Sequence, residues 1–186
     1  NNTTYQFNSN YNNYTYMYYT NNSNAKTQLE SWYQTNIGSK TNLASKVASG
    51  NYYCEQAKAK FSDSATSGNA TMTTYNKYTP DFKCSSDGNG KGVVSANVGL
   101  LSYDEVLYAG GYYGKSNNSY YLYNNTYFWT MSPAGFASGR SLVWDVYTSG
   151  NIDDYYVNGT YAVRAVLNLT DDTLATGSGT SSDPFV

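Results

Sequence analysis

Histidine is absent from the 186 residues. That removes the commonest general base at neutral pH, the usual metal ligand, and every Ser-His-Asp or Cys-His arrangement. Charge is scarce as well: Lys, Arg, Asp and Glu make up 13% of the chain, for a formal net charge of −2. A nucleic-acid binder needs a basic stripe to neutralise phosphates, so that partner is not expected. No run approaches the ~18 apolar residues of a membrane-spanning helix, and direct membrane insertion is not expected either. The two cysteines, Cys54 and Cys84, form no C-x-x-C, which denies zinc and redox chemistry a foothold. G-x-S-x-G, a P-loop and a strand-led G-x-G-x-x-G are all missing, and "GNGKG" (88–92) lacks the P-loop's spacing and its Ser/Thr. No cofactor and no metal is implied.

What the chain has is tyrosine, 23 of them, within an aromatic content of 17%. Disordered chains lack the apolar area to offset chain entropy, whereas here it is plentiful. The expectation is one folded, β-rich domain over residues 14–175, with a flexible segment at 1–13 and a linker-like tail at 176–186. Tyr, Asn, Ser and Gly also make up the palette of binding loops: Tyr supplies rigid amphipathic area and the others adaptable hydrogen bonds. A Cys54–Cys84 bridge would close a loop of about 30 residues, worth roughly 3–4 kcal/mol in the chain-entropy model, and would place the protein in an oxidising compartment. The chain begins at Asn1 rather than Met, which points to a mature product or an excised piece whose anchor lies elsewhere.

Periodicity places the elements. "YTYMYY" (14–19) alternates aromatic and β-branched types and reads as a first strand. Ala25, Leu29, Trp32 and Tyr33 then share one helical face, with Asn22 or Ser23 as cap, Gly38 as stop and Trp32 as a core anchor. A short second helix, "TNLASKVA", follows. Ser102 and Glu105 make an S-x-x-E capping box for another helix that Gly110-Gly111 ends. Residues 114–126 read as a polar loop. "YFWTMSP" (127–133) places Tyr127, Trp129 and Met131 on one face. "SLVWDVYT" sets Leu142, Trp144 and Val146 against Val143, Asp145 and Tyr147, and "YAVRAVLNL" (161–169) reads as a further strand. Helices early and strands late predict an α+β fold with an antiparallel sheet.

Two carboxylate pairs are candidates for acid–base work. Asp104/Glu105 is explained by a helix N-terminus, where acids are favoured. Asp153/Asp154 reads as a solvated turn. Asp145, Asp153 and Asp154 offer oxygens to calcium, but without calcium-loop spacing.

"YMYYTNNSNAKTQLESWYQTNI", "SYDEVLYAGG", "YFWTMSPAGF", "VWDVYTSGNI" and "YAVRAVLNL…DTLATGSGTSSDPF" together resemble a family of bacterial extracellular domains with a C-type-lectin-like fold. Such domains occur in Gram-positive surface and pilus-associated proteins. Their fold is shared with formylglycine-generating enzymes and with the variable proteins of diversity-generating retroelements. The likeness runs from about residue 14 to 186. It is carried most specifically by W-T-M-S-P, V-W-x-V-x-x-x-G and A-V-R-x-V-L-N-L in that order. Ala165 departs from it, since the family commonly has Pro after the Arg. The resemblance implies a cell-surface or secreted binding domain, short helices in its first half and an antiparallel sheet in its C-terminal half. The segment between the last strands would display Asp145, Tyr147, Ser149, Asn151, Asp153, Asp154, Tyr155, Tyr156, Asn158 and Tyr161. The partner would be a protein or glycan on another cell or virus surface, bound without catalysis. Arg164 is expected to pair structurally. Two other readings stay open: self-assembly into a surface filament or pilus, and a carboxylate-dependent enzyme acting on polysaccharide.

Overall fold

The structure, a computed structural model, describes residues 3–20, 22–55, 59–61, 72–74, 77–84, 92–171, 173, 178, 180 and 182–183. In chain order the first half contains β1 (Thr4–Gln6), a 3-10 turn (Tyr14–Met17), α1 (Asn24–Tyr33), a π-helical turn (Gln34–Gly38) and α2 (Thr41–Ala44). The short strands β2 (Tyr52–Glu55), β3 (Ala59–Phe61), β4 (Met72–Thr74), β5 (Gly92–Ser95) and β6 (Gly99–Leu100) follow. Then come α3 (Tyr103–Tyr108), β7 (Tyr112–Tyr113), β8 (Phe128–Ala137), β9 (Arg140–Val146), β10 (Asn151–Tyr156), β11 (Thr160–Ala162) and β12 (Ala165–Val166). The fold is mixed, with few helices and mainly β structure.

The main sheet has six strands in the order β1-β11-β8-β9-β10-β7. It is not purely antiparallel: β11 runs parallel to β8, and β7 parallel to β10. The hairpin β8–β9 turns on Ser138 and Gly139, whose φ angles of 52° and 73° suit the twist of a two-residue hairpin loop. Pro133 sits inside β8, where its missing N–H coincides with shifts in the pairing register to β9. Both faces of the sheet are covered. Phe128, Trp144, Val146 and Ile152 pack with Tyr103, Val106 and Leu107 of the α3 segment. Trp129, Met131 and Val143 pack with Phe7, Met17, Tyr19 and Leu29.

Local signals held where chemistry at the chain termini of helices decides the structure. The Ser23 side chain caps α1 by accepting from the Lys26 N–H, and the helical path runs to Gly38. The Ser102/Glu105 capping box is closed in both directions, with Glu105 accepting from the Ser102 N–H at 2.7 Å.

Four expectations are corrected. "YTYMYY" does not form a strand: Asn13 accepts from the Thr15 N–H and winds residues 14–17 into a 3-10 turn, and Met17, Tyr18 and Tyr19 are still buried. The segment read as a flexible lead-in, 1–13, contains β1, which pairs with β11, and buries Phe7 and Asn8. Trp32 is 43% exposed rather than a core anchor. At about 100° per residue, the buried positions Ala25, Lys26, Leu29 and Tyr33 form an arc centred near Leu29, and Trp32 falls on its flank. Finally, 161–169 is two short strands: β11 stays in the main sheet, while β12 pairs with β6. At the break, the Arg164 guanidinium covers the Phe128 ring at 4.8 Å and donates to the Leu122 carbonyl, the structural part expected of it.

Cys54 of β2 is bonded to Cys84, with a Cα–Cα distance of 5.4 Å. Most of the segment between them, residues 85–91 and most of the 176–186 tail lie outside the described residues. Among the described residues no helix is long and apolar enough to cross a membrane.

Candidate functional site

The stretch "NIDDYY", which reads as a polar connection, is itself strand β10. It pairs antiparallel with β9, setting Asp153 opposite Asp145, Asp154 opposite Trp144 and Tyr155 opposite Val143. Strand alternation therefore divides the predicted site residues. Asp145, Tyr147, Asn151, Asp153 and Tyr155 lie on one face, and Asp154 and Tyr156 on the other. Tyr has a strong preference for pleated, half-buried surface, so an Asp/Tyr run is tolerated in a strand near the edge of a sheet.

On the first face, aromatic rings from several parts of the sheet touch. Tyr161 of β11 lies 4.6 Å from Trp129, 5.1 Å from Tyr127 and 5.4 Å from Tyr155, centroid to centroid. Tyr127 in turn meets Tyr147 edge-on at 5.1 Å. Such offset and edge contacts are the favoured aromatic geometries. Beneath them Trp129 is fully buried and fixed by its indole N–H, which donates to the Tyr5 carbonyl at 2.9 Å. Tyr127 and Tyr155 are 39% and 41% exposed, so a patch of ring surface faces water on a rigid base. Tyr127 is absent from the site predicted from the sequence. The alternation that groups it with Trp129 was legible, but its neighbours come from β9 and β11.

Asp145 was expected in the exposed set; it is instead fully buried. Both faces of β9 are covered, so inside/outside alternation fails there. Neither carboxyl oxygen of Asp145 has a hydrogen-bond partner among the described residues, and the same holds for Oδ1 of Asn151. Burial, followed by the nearby Asp153 and Asp154 carboxylates, pushes the Asp145 carboxyl up to about 9, so it is protonated at neutral pH. Burial, then Asp145, Asp153, Tyr127 and Asp154, pushes the Tyr147 hydroxyl up to about 12; the Tyr161 hydroxyl is raised by burial first and by Asp145 next. The Tyr147 and Tyr161 hydroxyls are thus neutral at physiological pH.

On the opposite face, Asp154 lies in the field of Lys77, whose ammonium sits 3.8 Å from the Tyr113 ring centroid and 5.6 Å from that of Trp144. Its carboxyl is raised by burial and then by Asp153, with Lys77 opposing. Tyr156 carries the Arg140 guanidinium 4.9 Å over its ring. Ser149 and Asn158 are half-buried turn residues. Their carbonyls accept from the Asn117 N–H at 3.0 Å and from Gln6 Nε2 at 3.0 Å, respectively. Asp153 and Asp154 point to opposite faces and cannot flank one bond, and Asp145, Asp153 and Asp154 do not converge on one cation. Among the described residues no group of three or more His, Cys, Asp or Glu is placed to hold a metal. Asp104 is buried and accepts from the Asp81 N–H at 2.7 Å, while Glu105 is held in its capping box.

No curated protein and no solved structure matches the chain. A family does match, over residues 3–171, a span that takes in the helical first half, the six-stranded sheet and every candidate site residue. The chain belongs to the family described as domain of unknown function DUF6273.

Proposed function

We propose that this is an extracellular, cell-surface or secreted ligand-binding domain with a C-type-lectin-like fold, gripping a protein or glycan partner without catalysis. The observation that carries the reading is the patch of touching rings, Tyr127, Tyr147, Tyr155 and Tyr161, seated on buried Trp129 and open to water at Tyr127 and Tyr155. Rigid aromatic area with neutral hydroxyls binds by stacking and hydrogen bonding at little conformational cost. Asp153, on the same face of β10 as Tyr155, supplies a polar group beside the patch. The Cys54–Cys84 bond supports an oxidising compartment, and the ordered W-T-M-S-P, V-W-x-V and A-V-R-x-V-L-N-L motifs support the lectin-like fold. Screening the purified domain against an array of glycans and receptor ectodomains tests the reading. At least one specific ligand is expected, and its binding is to be lost when Tyr155 is replaced by Ser. An array on which no ligand loses its binding with that change would place the site elsewhere.

A further inference from the structure

Trp129 and Trp144 are buried, but Trp32 is 43% exposed. It lines a groove of about 530 Å³ between α1 and the β1 edge of the main sheet. Leu29, Tyr5 and Val163 supply apolar and aromatic wall, and Gln28 and Asn36 bring carboxamides from the turns before and after Trp32. None of the described residues lining the groove carries a charged side chain. Asn36 Nδ2 donates to the Trp32 carbonyl at 2.8 Å, which fixes the amide and leaves its Oδ1 as an acceptor. Asn36 lies on the π-helical turn that directly follows α1, a distortion that concentrates at functional sites.

We propose that this groove binds a neutral saccharide unit, with Trp32 as stacking platform and Gln28 and Asn36 as hydrogen-bonding groups. A pyranose ring offers a face of polarised C–H groups that suits the electron-rich face of an indole, and a rim of hydroxyls that suits planar amides. A charged ligand would lose its hydration here and meet no counter-charge. The groove's size falls within the range of about 300–1,000 Å³ typical of small-molecule sites. The competing occupant is an extended peptide added to β1, but that edge is only three residues long and offers few backbone bonds. The inference does not rest on the tyrosine patch.

Trp32 is the exposed member of the three tryptophans, so acrylamide quenching reports on it selectively. Cellobiose, maltose, lactose and N,N′-diacetylchitobiose are the probes. At least one is expected to protect Trp32 from quenching. By ligand-observed NMR, that sugar should bind Trp32→Ala about tenfold or more weakly, bind Trp32→Phe with an intermediate loss, and bind the Tyr127→Ser/Tyr155→Ser protein as it does the unaltered one. Absence of protection by all four sugars at high millimolar concentration overturns the proposal. So does unchanged sugar binding in Trp32→Ala, or protection by neutral peptides alone.

Discussion

Asp145 places a carboxyl in a sheet interior with no hydrogen-bond donor to it among the described residues, and the charged form is what that environment disfavours most. The groups around it are Asp153 and Asp154 on β10, Tyr147 just after β9 and Tyr161 on β11, and all of them oppose its ionisation or are neutral. The folded state therefore keeps the Asp145 proton up to about pH 9, whereas the unfolded chain releases it near the ordinary value of 3.8. The folded state binds more protons across that window, so this residue's contribution to stability is full in acid and declines as pH rises. The slope is at most about 1.4 kcal/mol per pH unit. Urea denaturation of Asp145→Asn beside the unaltered protein, at pH 5 and pH 8, is expected to show the mutant gaining relative stability at the higher pH. Parallel stability at both values would mean that Asp145 is already ionised in the fold. The sequence could show that Asp145 alternates with Trp144; it could not show that both faces of β9 are covered.

Among the elements, legibility followed locality. The capping box of α3 and the Ser23 cap of α1 are set by side chains reaching three residues along the chain, and both were readable. Tyr14–Met17 and Asn151–Tyr156 were not. Aromatic alternation favours a strand in the first, yet the Asn13 cap winds it into a 3-10 turn. The second has the letters of a loop and becomes a strand because β9 and β7 flank it. The turn between β9 and β10 is fixed by Gly150, at φ 76°, where an added Cβ would fall 1.7 Å from the Asn117 carbonyl oxygen. That oxygen belongs to backbone and cannot swing aside. Gly150→Ala is expected to cost several kcal/mol, on the order of 3, read as a lowered urea midpoint. A change below about 0.5 kcal/mol would show that the 114–126 loop is not docked against this turn.

For the molecule as a whole, the edges of the main sheet are short: three residues in β1 and two in β7. Short edges are poor templates for open-ended strand pairing, which weighs against filament growth through the sheet. The covalent tie between Cys54 and Cys84 spans 30 residues, and the chain-entropy model gives it about 3–4 kcal/mol. Replacing both cysteines by Ser should lower the unfolding free energy by roughly that amount; an unchanged denaturation midpoint would mean that the reduced chain is already constrained. The binding patch was legible only in part. The sequence pointed to Tyr147, Tyr155 and Tyr161, but Tyr127 joins them through strands β8 and β11, and Asp154 and Tyr156 leave for the other face. Those outcomes depend on register and strand order, which no local pattern carries.

The most direct measurement compares two double variants against those ligands of the array whose binding survives Trp32→Ala. Tyr127→Ser/Tyr155→Ser removes the exposed rings of the patch, while Tyr108→Ser/Tyr121→Ser removes two tyrosines that are 74% and 87% exposed elsewhere. Calorimetric titration should show binding lost in the first and kept in the second, with melting temperatures close to that of the unaltered protein. Equal affinity in all three proteins would contradict the account.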